Sequence, residues 1–160
     1  MYVNGICILQ NNKENIYGVV SFKQYIINNK PENKTRVYGT IKGLPVGLHG
    51  FHIHTFGDLS NGCDSAGAHF NPTAKDHGGL NSVNRHIGDM GNLESFGGDV
   101  NFDFFVNDMS LVGPYSIIGR SVIVHADEDD LGRTSNPLSK TTGNSGSRIA
   151  CGVIGISQVK

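Results

Sequence analysis

Leu48-His49-Gly50-Phe51-His52-Ile53-His54 reads as a β-strand, because apolar and imidazole side chains interleave with no helix-like spacing. Successive side chains on a strand point to opposite faces, so His52 and His54 emerge on one face and His49, with the other parity, turns away from them. Comparable alternating or β-branched runs recur at residues 2–9, 16–23, 35–42, 89–95, 100–106, 117–124 and 148–156, mostly separated by Asn, Gly, Asp and Pro. With 47–54 these make eight strands. Eight short strands predict an all-β protein, a sandwich or barrel.

Composition agrees: 22 glycines against five prolines and no tryptophan favour strands and turns. At 160 residues the chain is expected to form a single domain over 1–160, large enough to bury a core of its own. The net charge of -1 says nothing about partners, but the lack of a basic patch argues against nucleic acid. No apolar run approaches a membrane span, and no basic amphipathic helix is visible. The first residues, Met1-Tyr2-Val3-Asn4-Gly5-Ile6-Cys7, lack the pattern of an export signal, so a soluble, cytoplasmic protein is expected. Asn33-Lys34-Thr35 fits a glycosylation sequon, and without an export signal it reads as an ordinary polar turn.

Two connections, 55–88 and 125–147, are too long for hairpins and need something to order them. Histidines supply it. All seven lie between His49 and His125. His69, His77, His86 and Asp89 offer three imidazoles and a carboxylate, a complete tetrahedral set for zinc. His52, His54 and His125 plus one further nitrogen suit a tetragonal copper site. The further ligand could be His69, whose two ring nitrogens could serve both ions at once.

Several stretches together resemble the copper/zinc superoxide dismutases: Gly50-Phe51-His52-Ile53-His54, Gly67-Ala68-His69-Phe70-Asn71-Pro72, His77-Gly78-Gly79, Arg85-His86-Ile87-Gly88-Asp89, Val124-His125-Ala126-Asp127-Glu128-Asp129-Asp130-Leu131-Gly132 and Gly146-Ser147-Arg148-Ile149-Ala150-Cys151-Gly152. The resemblance implies an eight-stranded Greek-key β-barrel with two long functional loops. It implies a copper ion on His52, His54, His69 and His125, a zinc ion on His69, His77, His86 and Asp89, and His69 as the bridge. Asp129 matches the aspartate that links a copper histidine to a zinc histidine, fixing both rings. Cys63 and Cys151 match the family's disulfide, an exception to the rule that cytosolic thiols stay reduced. Cys7 then remains as a buried free thiol.

The implied activity is conversion of superoxide to oxygen and hydrogen peroxide, with His69 leaving copper to carry a proton in the reduced half-cycle. Arg148 matches the family's active-site arginine, a cation that would attract the substrate anion. Phe56-Gly57, Ile118-Gly119 and Ile156 match interface positions of homodimeric members, and a copper-delivery chaperone is a further implied partner. Asn136-Pro137-Leu138 departs from the pattern, standing where many members carry glutamates, and Thr55 replaces an acid. Three competing readings are weaker. A copper-binding or metallochaperone domain without turnover needs neither Arg148 nor a full zinc set; a zinc hydrolase needs an open zinc position; an adhesion-like sandwich needs no convergent ligands.

Overall fold

Alternation in the sequence becomes alternation in burial. β1 (Tyr2–Asn11) buries Cys7 and Leu9 and exposes Ile8, while β2 (Ile16–Ile27) buries Ile16, Val20, Phe22 and Gln24. In the computed structural model, which describes residues 1–11 and 13–158, these strands are followed by β3 (Lys30–Pro31), β4 (Lys34–Lys42), β5 (Gly47–His54) and β6 (Ser60–Cys63). A single 3-10 turn (Asp64–Ala66) precedes β7 (Asp89–Ser95), β8 (Val100–Asn107), β9 (Ser121–His125) and β10 (Arg148–Ser157). No helix among the described residues is long and apolar enough to cross a membrane.

Eight of the strands form one antiparallel sheet in the order β7-β5-β9-β10-β1-β2-β4-β8, with β3 paired to β2 beside it. Its end strands β7 and β8 lie against one another without a hydrogen-bonded ladder, so the sheet curls into a nearly closed barrel. The β4–β5 and β8–β9 connections cross from one half of the order to the other, which is the Greek-key arrangement. All eight expected strands occur. The stretch expected as 117–124 begins its strand only at Ser121, because Arg120 N–H closes a turn onto Ile117 O at 3.1 Å. That strand also runs one residue further, through His125. Two short strands, β3 and β6, have no alternation of their own to reveal them.

Strands β5 and β9 are buried on both faces, and this positions the site. Phe51, Ile53, Val122 and Val124 pack into the barrel core with Leu9, Phe22 and Ile154. His52, His54 and Ile123 take the outer face, where the loops cover them; Ile123 packs there with Ala66 and Cys151. The loop 55–88 is pinned to β5 by Phe70 N–H to Ile53 O and Ile53 N–H to Gly88 O, each 2.8 Å. A disulfide between Cys63 and Cys151, with Cα atoms 5.7 Å apart, ties the same loop to β10.

Candidate metal centre

Four imidazoles converge on the outer face of β5 and β9. His52, His54, His69 and His125 each offer a ring nitrogen within 4.8 Å of the others, and all four are buried. Each ring from a strand is oriented by a fixed acceptor on its far nitrogen. His54 Nδ1 donates to Gly67 O at 2.8 Å, His125 Nδ1 to Gly146 O at 3.1 Å, and His52 Nε2 to Asp129 Oδ2 at 2.6 Å. The opposite nitrogens therefore present lone pairs inward, and His54 Nε2 and His125 Nε2 approach to 3.3 Å. His52 Nδ1 and His69 Nε2 are buried with no hydrogen-bond partner. Unpaired buried nitrogens are costly unless something else meets them, and a metal ion does so.

Burial holds His52 and His54 well below the ordinary imidazole range and lowers His125 to about 4, so these rings are neutral at pH 7, the form that ligates.

A second convergence lies one ring away. Asp89 Oδ1 is 3.0 Å from His69 Nδ1, 3.0 Å from His77 Nδ1 and 3.2 Å from His86 Nδ1, and His86 Nδ1 is 3.2 Å from His69 Nδ1. A tetrahedral ion with bonds of about 2.0–2.1 Å separates its ligand atoms by about 3.3 Å, close to this spacing. His77 Nδ1 meets Asp89 at ion-pair distance but without hydrogen-bond alignment, as expected of two ligands aimed at a common point. His52, His69, His77 and Asp89 also come within 4.8 Å of one another, so His52 lies within reach of both convergences.

The carboxylate of Asp89 is itself anchored, since Oδ2 accepts from Gly78 N–H at 3.0 Å and His86 N–H at 2.9 Å. Burial alone would raise its proton affinity, but the hydrogen bonds from His69 and His86 and the close approach of His77 outweigh it and keep Asp89 ionised. Burial likewise opposes a charge on His77, yet Asp129 and Asp89 raise it to about 9.

The family described as Copper/zinc superoxide dismutase (SODC) matches residues 16–154. Superoxide dismutase [Cu-Zn] 5 of Dictyostelium discoideum is 46% identical over 158 residues, covering 98% of this chain and 100% of that protein. The chain belongs to the copper/zinc superoxide dismutase family. A protein of Autographa californica nuclear polyhedrosis virus, provisionally named superoxide dismutase [Cu-Zn], is 49% identical over 156 residues, 96% of this chain and 99% of that one. Among solved structures, that of the clock protein EA4 superposes with a TM-score of 0.88 at 46% identity, covering 96% of this chain and 94% of the other. As a copper/zinc superoxide dismutase family member the protein is an oxidoreductase, and its metals are copper and zinc.

The remaining candidate residues of this dismutase-family chain fall around the same centre. Asp129 is fully buried and shared: Oδ2 takes the His52 bond, while Oδ1 accepts from His77 Nε2 and from Leu131 N–H, each at 2.7 Å. Arg148 lies opposite His125 where the β9–β10 register slips, a bulge that re-aims the side chain. Its guanidinium donates to Cys63 O at 2.8 Å and Gly67 O at 2.7 Å. His49 stays outside both clusters, as its parity requires, with its ring nitrogens 2.9 Å from His125 O and Pro45 O.

Sequence reading missed the supporting residues. Asn92 fixes Asp129 by bonds in both directions, at 2.7 and 2.9 Å. Arg85, buried, donates to the carbonyls of His86, Ile87 and Asn107. A polar Asn inside the β7 run was the one available signal for the first. Arg85 adjoining His86 gave none, since an arginine there reads equally well as a surface cation.

Proposed function

We propose that this chain, acting as one domain over residues 1–160, dismutes superoxide to oxygen and hydrogen peroxide at a copper site joined to a zinc site through His69. His52 Nδ1, His54 Nε2, His69 Nε2 and His125 Nε2 would hold copper. His69, His77 and His86, each through Nδ1, and Asp89 through Oδ1 would hold zinc. The single observation that carries the bridge is that His69 offers one nitrogen to each convergence: Nδ1 at 3.0 Å from Asp89 and Nε2 unpartnered beside the strand histidines. His86 is preferred over His52 as the fourth zinc ligand. His52 has only Nδ1 to give, because Asp129 occupies Nε2, and the copper set needs it.

When bound, copper supplies one-electron exchange with superoxide, and zinc, which has no redox chemistry of its own, supplies charge and order. Arg148 draws the anion into the channel and orients it, its fork held by three loop carbonyls. His69 Nε2, secluded from bulk water, is the atom that takes up and returns a proton. Asp129 keeps the His52 and His77 rings from turning. Two copies would pair through Phe56, Gly57, Ile118, Gly119 and Ile156; Phe56 and Ile156 are 56% and 79% exposed, apolar surface that a partner would cover.

The test combines elemental analysis for copper and zinc with superoxide decay on the same sample. Two metals per chain with rapid decay supports the reading, whereas full metal content without decay leaves a copper-binding domain lacking turnover. His69→Ala should disturb both metals, and a change confined to one would remove the bridge.

A further inference from the structure

The channel above His54 and His125 is much larger than superoxide needs. Its cavity of about 490 Å³ belongs to the size class of small-molecule pockets, about 300–1,000 Å³, whereas one water takes about 30 Å³ of liquid. Among the described residues lining it, Arg148 carries the only permanently charged side chain. Leu138, 51% exposed, lines the same cavity.

Leu138 is not a loose surface leucine, because the loop's own hydrogen bonds fasten its backbone. Its N–H donates to Asn136 Oδ1 at 2.9 Å. Its carbonyl accepts from Thr141 N–H at 3.1 Å and Thr142 N–H at 2.8 Å, and from their hydroxyls at 3.1 and 3.3 Å. Both threonine hydroxyls are thereby committed to the loop backbone, and the wall beside them offers an ordered apolar surface. Arg148 is equally fixed. With Nη1 on Cys63 O and Asp64 O, at 2.8 and 3.5 Å, and one N–H of Nη2 on Gly67 O, the second N–H of Nη2 and the Nε–H remain to receive an anion.

We propose that this channel is a binding site for monocarboxylates carrying a short hydrocarbon or aromatic tail, the carboxylate on the Arg148 fork and the tail along Leu138. Such a ligand excludes superoxide from Arg148, so the site couples activity to the level of small organic acids. The competition rests on the reading of Arg148 as the substrate-anion residue; the binding does not.

Calorimetric titration of the copper- and zinc-loaded protein with formate, acetate, butyrate and hexanoate tests it directly. Affinity should rise by roughly threefold per added methylene as the tail leaves water. Leu138→Glu should abolish that rise, with formate binding weakened by the added negative charge; Leu138→Ala, which adds no charge, should reduce the rise and leave formate unchanged. Arg148→Gln should weaken the whole series. Equal affinity across the series, or a rise that survives in both Leu138 variants, overturns the proposal. Superoxide decay is read separately: carboxylate binding with the expected slope in a protein that fails to decompose superoxide would sink the functional reading and leave this site standing.

Discussion

Replacing Asp129 with Asn should weaken both metals together, because one carboxylate holds the outer nitrogens of His52 and His77. Loss of such an orienting partner typically costs about 10- to 100-fold in metal affinity. Competition against a chelator of known strength, read for copper and zinc in turn, checks it, and a loss limited to one ion would show that the shared carboxylate does not act on both. His49→Ala should have the contrary profile. It leaves one carbonyl, that of His125 or of Pro45, without the imidazole N–H, costing on the order of 1–3 kcal/mol of stability, yet metal stoichiometry should not change. Cys7 offers a third test at this scale. Burial pushes its thiol up to about 12 from an ordinary 9.0, so it should ignore a thiol reagent in the native protein and appear as one thiol per chain on unfolding. The native state keeps the proton where the unfolded chain releases it. That contribution to stability is complete below pH 9 and is lost as pH rises towards 12. Cys7→Ala should flatten the decline in denaturation midpoint over that window, relative to the parent.

At the level of elements, the disulfide does two jobs that one substitution can expose. Closing 88 residues stabilises by about 4–5 kcal/mol in the chain-entropy model, and the bridge also holds Cys63 O, one of the three carbonyls that fix Arg148. Cys63→Ser should lower the melting temperature and also reduce turnover with both metals retained; unchanged turnover would separate Arg148 from the bridge. The strands were readable because period-two burial is a local property of the sequence, as β1 and β2 demonstrate. The start of β9 was not, since a turn stabilised by Arg120 N–H to Ile117 O interrupts an apolar run that looks continuous. Ligand types and spacing were equally readable. The acceptors that aim the rings, Gly67 O and Gly146 O, were not, because every residue has a carbonyl and only the fold decides where it points.

For the molecule as a whole, Arg148→Ile should lower the rate of superoxide decay by roughly tenfold or more and flatten its dependence on salt, as expected when a steering charge is removed. Metal content should stay at the parent level, and an unaltered salt slope would assign the steering to other charges. The backbone acceptors have a consequence for how the chain tolerates change. Because the atoms that aim His54, His125 and Arg148 belong to the main chain, no exchange of one side chain for another deletes them. What would delete them is a shift in where the backbone passes. Loops 55–88 and 126–147 should therefore accept many surface replacements and very few insertions or deletions, so that in a library of random variants their length, more than their composition, separates active chains from inactive ones.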